Sequence, residues 1–158
     1  MIPRIETLSE KKIVGKRLRM SLTHNKMAEL WGGFMPKRQE IAHKLSSDLF
    51  SMTIYNSNHF EDYNPSNEFE KWAGVEVSKF ENIPNDLEEF ILMDGLYAVF
   101  DYKGPSTDTA IYQYIFGKWL PNSEFVLANR PHFEVLANKY KNDSPNSEEE
   151  IWIPIQKK

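Results

Sequence analysis

Residues 150–155 read Glu150-Ile151-Trp152-Ile153-Pro154-Ile155, three isoleucines alternating with a tryptophan and a proline. Strict alternation of β-branched residues marks a strand with one buried face. The isoleucines are expected to pack beneath helices, which leaves Glu150, Trp152 and Pro154 on the opposite face. In the strand before it, His132–Tyr140, the apolar set Phe133, Val135 and Ala137 reads as helix-facing, with Glu134 and Leu136 pointing away. Phe69–Val77 alternates too, with Ala73, Val75 and Val77 on one face and Trp72, Gly74 and Glu76 on the other. Trp72 is thus expected on the face of Trp152, with Tyr55 beside it.

Further outward, Lys12–Leu22 reads as a strand with Val14, Leu18, Met20 and Leu22 on one face, interrupted by Lys16. Turn and cap residues 22–25 precede a helical stretch, Lys26–Phe34, whose Met27, Leu30, Trp31 and Phe34 recur at helical spacing. A second helical piece is expected from Pro36, with Ile41, Ala42 and Leu45 as its stripe. A short strand at Met52–Tyr55 follows, then a polar loop, Asn56–Asn67, before Phe69–Val77. Phe80–Glu88 reads as loop. Glu89–Lys103 reads as two strands broken at Asp94-Gly95, a hairpin-turn dipeptide. Thr107–Trp119 reads as a helix with Ile111, Ile115 and Trp119 along one stripe and Tyr112 and Phe116 beside it. The strand pair His132–Tyr140 and Glu149–Gln156, joined by a polar loop at 141–147, closes the chain.

Strand, helix, strand, strand is thus written twice, over residues 12–77 and 96–155. The expected fold class is α+β: duplicated β-α-β-β units forming an antiparallel sheet, helices on one face, within a single domain, 1–158. The alternative is an α+β sandwich without a repeat.

Composition narrows the function. The chain has 158 residues, is 41% hydrophobic and 13% aromatic, and carries a formal charge of −4. An acidic balance argues against a dedicated nucleic-acid binder, so no direct DNA binding is expected. With no cysteine, disulfides, thiolate nucleophiles and Cys-ligated zinc are excluded. The first residues lack the pattern of a signal peptide, and no apolar run reaches the roughly 18–20 residues of a membrane span. A cytoplasmic protein without membrane contact is expected.

A sheet covered by helices on one face presents its other face to solvent or to a ligand. Trp72, Trp152, Tyr55 and Glu134 all fall on that face in this reading. Aromatic walls around one carboxylate suit an organic cation, each ring contributing about 0.5–2 kcal/mol through cation–π contact. The plainer reading is that the tryptophans cover the sheet and Glu134 is solvated. His24, His43, His59 and His132 lack metal-ligand spacing and read as surface residues, so no metal is called for. Glu148-Glu149-Glu150 reads as a solvated strand end, Gly32-Gly33 lacks the context of a phosphate loop, and Ser106 and Thr107 suit helix capping.

Several segments together carry a family resemblance. They are Ile13-Val14-Gly15, Leu30-Trp31, 72–77 (Trp-Ala-Gly-Val-Glu-Val), 95–100 (Gly-Leu-Tyr-Ala-Val-Phe), Lys103-Gly104-Pro105, Trp119-Leu120-Pro121, 131–135 (Pro-His-Phe-Glu-Val) and 150–155. In order and spacing the chain resembles the GyrI-like family, the effector-binding domain of bacterial AraC-type and MerR-type transcription regulators. The resemblance implies a ligand cleft between the two halves with Glu134 inside it, meeting cationic aromatic ligands as in multidrug-responsive relatives. Trp72, Trp119 and Trp152 are carried over as cleft aromatics, and Tyr55 and Tyr112 complete the candidate ligand-binding set. Regulators of this family usually carry a helix-turn-helix domain ahead of the effector domain, and this chain starts almost at the first strand. A stand-alone binding protein for hydrophobic, cationic small molecules, acting in sensing or sequestration, is the leading expectation, with no cofactor. The alternatives are a hydrolase of strained, cyclopropane-containing electrophiles with Glu134 as base, and an interaction module for a regulator or a topoisomerase, such as a gyrase modulator. Whether it is a monomer or a homodimer stays open.

Overall fold

The computed structural model describes residues 1–61, 64–141 and 144–158, so the loops expected at 56–67 and 141–147 lie partly outside the described residues. The elements run β1 (Arg4–Leu8), β2 (Lys11–Met20), α1 (Met27–Phe34), β3 (Leu49–Ile54), β4 (Phe69–Val77) and β5 (Glu88–Leu92). They continue as β6 (Gly95–Lys103), α2 (Ala110–Tyr114), β7 (Phe125–Leu127), β8 (His132–Leu136) and β9 (Glu148–Lys157). A 3-10 turn, Met35–Glu40, follows α1, and a π-helical turn, Ile115–Trp119, extends α2. The sheet order is β1-β6-β9-β8-β3-β4-β2-β5, with β7 added to β9, and the pairings are antiparallel. This is an α+β fold.

Both β-α-β-β units are present, β2-α1-β3-β4 and β6-α2-β8-β9, and they meet where β3 pairs with β8. Ahead of each unit stands a further strand that pairs with the other unit: β1 with β6, and β5 with β2. The hairpin expected at Asp94-Gly95 is therefore corrected. β5 and β6 are strands, but Met93-Asp94 carries the chain from one sheet edge to the opposite half. Leu8 of β1 and Lys11 of β2 are likewise three Cα–Cα steps apart, about 11 Å at full stretch. Two such short links between distant strands force the sheet to curl until its ends approach each other.

That curl corrects a second expectation. The face away from the helices is not open; it is filled by Leu8, Ile13, Phe50, Met52, Trp72, Leu92, Tyr97, Val99 and Phe133, with Trp152 and Phe90 packed against them. All strands but β7 contribute, as a coiled, twisted sheet closing on its own concave face requires. Gly15 and Gly74 sit opposite each other in β2 and β4. A Cβ on Gly15 would lie 2.3 Å from the Ala73 carbonyl oxygen, so no larger side chain fits that approach.

The helix-covered face holds two separate apolar clusters. Under α1 lie Val14, Met20, Leu30, Phe34, Ala73, Val75 and Val77. Under α2 lie Ala98, Phe100, Ile111, Ile115, Ile151, Ile153 and Ile155, with the three isoleucines at 1% exposure or less. The isoleucine stripe thus packs as its alternation demands.

β8 does not follow the sequence reading. Phe133 is paired with Met52 on one side and Trp152 on the other, so it belongs to the central core, and Glu134 faces the helices. The assignment was one residue out because both faces of this sheet are buried, and apolarity alone cannot tell them apart. The helix expected from Pro36 is a 3-10 turn ending at Glu40; Ile41 is extended and buried, and Leu45 is exposed.

Candidate functional site

Between the α1 and α2 clusters the helix-facing surface of the sheet turns polar. Two rows cross β4, β3 and β8 there: Lys71–Thr53–His132, and Ala73–Ser51–Glu134, which continues to Ile151 on β9. Ser51, Thr53 and Lys71 are buried. The strip is the floor of a cleft between the two units, and every strand of the floor delivers its polar residues by simple alternation.

α2 supplies one wall. Ile111 and Ile115 seal its underside against the sheet, which turns Tyr112 and Phe116 to the cleft. The π-turn adds one residue to the helical repeat, as the bond from the Leu120 N–H to the Ile115 carbonyl shows. Tyr112 donates a short hydrogen bond from its hydroxyl to Glu134 Oε1. Burial, then the charge of Glu134, holds the Tyr112 hydroxyl well above the usual tyrosine range, so it remains a donor.

The opposite wall comes from the end of β3 and the turn after it. The Tyr55 ring meets His132 edge-on at 4.9 Å and His59 at 4.5 Å. Phe60 stacks on Phe116 at 5.7 Å and on His132 at 6.0 Å, so a residue of one half reaches across to the helix of the other. The space left between Thr53, Tyr55, Tyr112, Phe116, His132 and Glu134 is about 40 Å³. That is little more than the volume of one water.

The ionisable groups of the floor are coupled. Lys71 Nζ donates to Thr53 Oγ1 at 2.8 Å; burial lowers its pKa, while Glu134 and then Glu149 favour its charge. Glu149, on β9, is 8% exposed, and its Oε2 is buried without a hydrogen-bond partner among the described residues. Burial first, and the charge of Glu134 second, push its pKa up to about 7. Burial, with smaller effects of Lys71 and His59, pushes His132 down to about 3, so its ring is neutral and serves as an aromatic wall.

Of the candidate residues, Glu134, Tyr112 and Tyr55 come together in this cleft. Trp72 and Trp152 do not point into it: their rings lie in the central core on the other face, Trp152 stacked on Phe133 at 5.2 Å. Ile151, Trp152 and Ile153 still border the cleft. Trp119 packs edge-on against Phe100 and stacks on Phe125, beneath α2. The surface reading of His59 and His132 is corrected, since both stand in the aromatic wall. Lys71 and Phe60 were missed, and the reading of Glu149 as part of a solvated strand end is corrected, since it is buried. A lysine at a core-face position of a strand, as in Phe69-Glu70-Lys71-Trp72-Ala73, was the one available signal. No group of His, Asp or Glu that could hold a metal occurs among the described residues.

A large antiparallel sheet, folded on itself and bearing an aromatic cleft with a carboxylate, defines a small-molecule binding domain. The chain belongs to the family of the GyrI-like small molecule binding domain, which matches residues 1–156. It is 27% identical over 145 residues to the transcriptional regulator BrlR of Pseudomonas aeruginosa, covering 90% of this chain and 51% of BrlR. It thus spans about half the length of that relative. The structure of SAV2435 bound to tetraphenylphosphonium superposes with a TM-score of 0.73 at 16% identity, covering 99% of this chain and 94% of that one. The EcmrR C-terminal domain superposes with a TM-score of 0.73 at 14% identity, covering 98% of this chain and 97% of that one. No helix among the described residues is long and apolar enough to cross a membrane.

Proposed function

We propose that this cleft binds organic cations bearing aromatic groups, and that the protein acts in sensing or sequestering them. The observation that carries this reading is Glu134, held by Tyr112 on a buried polar floor with rings of Tyr55, Phe60, Phe116 and His132 above it. A carboxylate in such a setting attracts a cation, and the rings add cation–π and stacking contacts. SAV2435, which shares the fold, was captured with tetraphenylphosphonium, a ligand of this chemistry. With about 40 Å³ free, such a ligand enters by taking the place of Phe60 against Phe116 and His132. The formal charge of −4 works against direct DNA binding by these residues.

Calorimetric titration with tetraphenylphosphonium tests the reading. Binding by the wild type, weakened roughly tenfold or more in Glu134→Gln, is expected for a charge-assisted contact. Equal affinity in both proteins would sink it. Turnover of a cyclopropane-containing electrophile by the wild type, lost in Glu134→Gln, would instead favour a hydrolase.

A further inference from the structure

The cleft floor holds a buried lysine that a receptor for cations does not need. Lys71 is buried at 8% exposure on the same face as Glu134, in the row adjoining it. Among the described residues its side chain makes one hydrogen bond, to Thr53 Oγ1, a residue that itself lines the cleft. An ammonium has three donors, so two have no protein partner among the described residues. Glu149 is buried nearby on β9 with Oε2 unpartnered, and both carboxylates act electrostatically on Lys71. Lys71 and Glu149 are buried beside the half-buried Glu134, and holding charges this way with incomplete hydrogen bonding is costly unless a further charged partner completes the set.

We propose that Lys71 is the resident cation of the cleft, set against Glu134 and Glu149 so that the floor carries at most one net negative charge and selects singly charged cations. The proposal rests on the cation-binding reading and specifies its charge class. Removing Lys71 leaves two carboxylates unopposed, which strengthens any cation. Removing the Glu149 charge leaves Glu134 and Lys71 balanced, which weakens a monocation. An anion of the same shape responds in the opposite sense to each change. Neither pattern is produced by loosened packing, which alters both ligands alike.

Tetraphenylphosphonium and sodium tetraphenylborate, nearly equal in shape and opposite in charge, are titrated against the whole chain in potassium-free buffer on the alkaline side of the Glu149 pKa of about 7, where this carboxylate is ionised. The wild type is expected to prefer the cation. The cation-to-anion affinity ratio should rise roughly tenfold in Lys71→Met, fall by a similar factor in Glu149→Gln, and return to the wild-type value in Lys71→Arg, on the scale of screened charges a few ångströms apart. A ratio unmoved by Lys71→Met, while Glu134→Gln abolishes the preference, overturns the inference and leaves the cation reading standing. A ratio moved by Lys71→Met but untouched by Glu134→Gln overturns the cation reading and keeps Lys71 as the charge that sets selectivity. If Lys71→Met fails to fold, Lys71→Gln and Glu149→Gln carry the same comparison, and no movement of the ratio in both overturns the inference.

Discussion

The two β-α-β-β units differ in an instructive way when they are laid on each other about the Met52–Phe133 pair. On the concave face they match. Trp72 flanks Met52 as Trp152 flanks Phe133, and each indole N–H is held by the glutamate two residues earlier, Glu70 or Glu150, at 2.9 and 3.1 Å. On the helix face they do not. Where one unit pairs Lys71 with Thr53, the other pairs Ile151 with Glu134. Symmetry is kept where the sheet must close around a shared core, and broken where the cleft floor needs unlike charges. The matched positions therefore build the fold, and the unmatched ones lie on the floor of the candidate cleft.

The hardest test of that division is truncation of the matched tryptophans. Trp72→Ala should lose about 3–5 kcal/mol of stability, because the indole is buried and leaves a cavity among Phe90, Met52 and its neighbours. Trp152→Ala, half-buried, belongs at the low end of that range, near 3 kcal/mol. Denaturant titrations read both. A Trp152→Ala protein of normal stability with weakened tetraphenylphosphonium binding would place this ring in the site and break the comparison.

The unmatched pair should separate cleanly in the same assays. Thr53→Val removes the acceptor of the Lys71 ammonium and should cost about 1–3 kcal/mol of stability. Glu134→Gln keeps an oxygen for the Tyr112 hydroxyl, so stability should change by less than about 1 kcal/mol while the cation is weakened by about 1–3 kcal/mol. A large stability loss from Glu134→Gln would make it an architectural residue like those on the concave face.

Much of this division is legible in the amino-acid sequence. The isoleucine alternation in β9 gave the right face because β-branched residues recur there at period two against a polar start. The two units were visible because each repeats the same order of strand and helix. β8 misled because Phe133 and Val135 are apolar yet face the concave core, so polarity carried no information on its orientation. The edges misled as well: Asp94-Gly95 has turn chemistry, but its partners are fixed by closure of the sheet, a long-range property. Glu134 was found through its motif, with the wrong face argument. Lys71, Phe60 and Glu149 owe their places to register across β4, β3, β8 and β9 and to a loop that folds back, none of which a local pattern records.

The floor should also show in the pH dependence of stability. Glu149 has a folded pKa near 7, above the ordinary value, so the protonated form is favoured by folding. Its contribution is present below about pH 4.5 and lost as pH rises through 7. His132 behaves in the opposite sense: with a folded pKa near 3, its contribution is present above about pH 6.5 and lost as pH falls toward 3. Between roughly pH 4.5 and 6.5 the two slopes oppose each other. Glu149→Gln should remove the falling limb, leaving stability that rises with pH across that window. An unchanged profile would mean that Glu149 is solvated and does not belong to the floor.

A small expected effect on stability, and the most informative one on entry, belongs to Phe60. Phe60 is 42% exposed, yet its ring stacks on both Phe116 and His132 across the cleft mouth. Phe60→Ala should cost no more than about 1 kcal/mol, since a half-exposed ring releases little buried area. It should speed association of tetraphenylphosphonium severalfold, because the ligand no longer displaces a stacked ring, and leave dissociation nearly as it was. Stopped-flow fluorescence of the tyrosines and tryptophans separates the two rates. Faster dissociation with unchanged association would instead make Phe60 a wall that grips the bound cation. The asymmetry between the units would then extend to the loop after β3, whose counterpart after β8 would have to supply the way in.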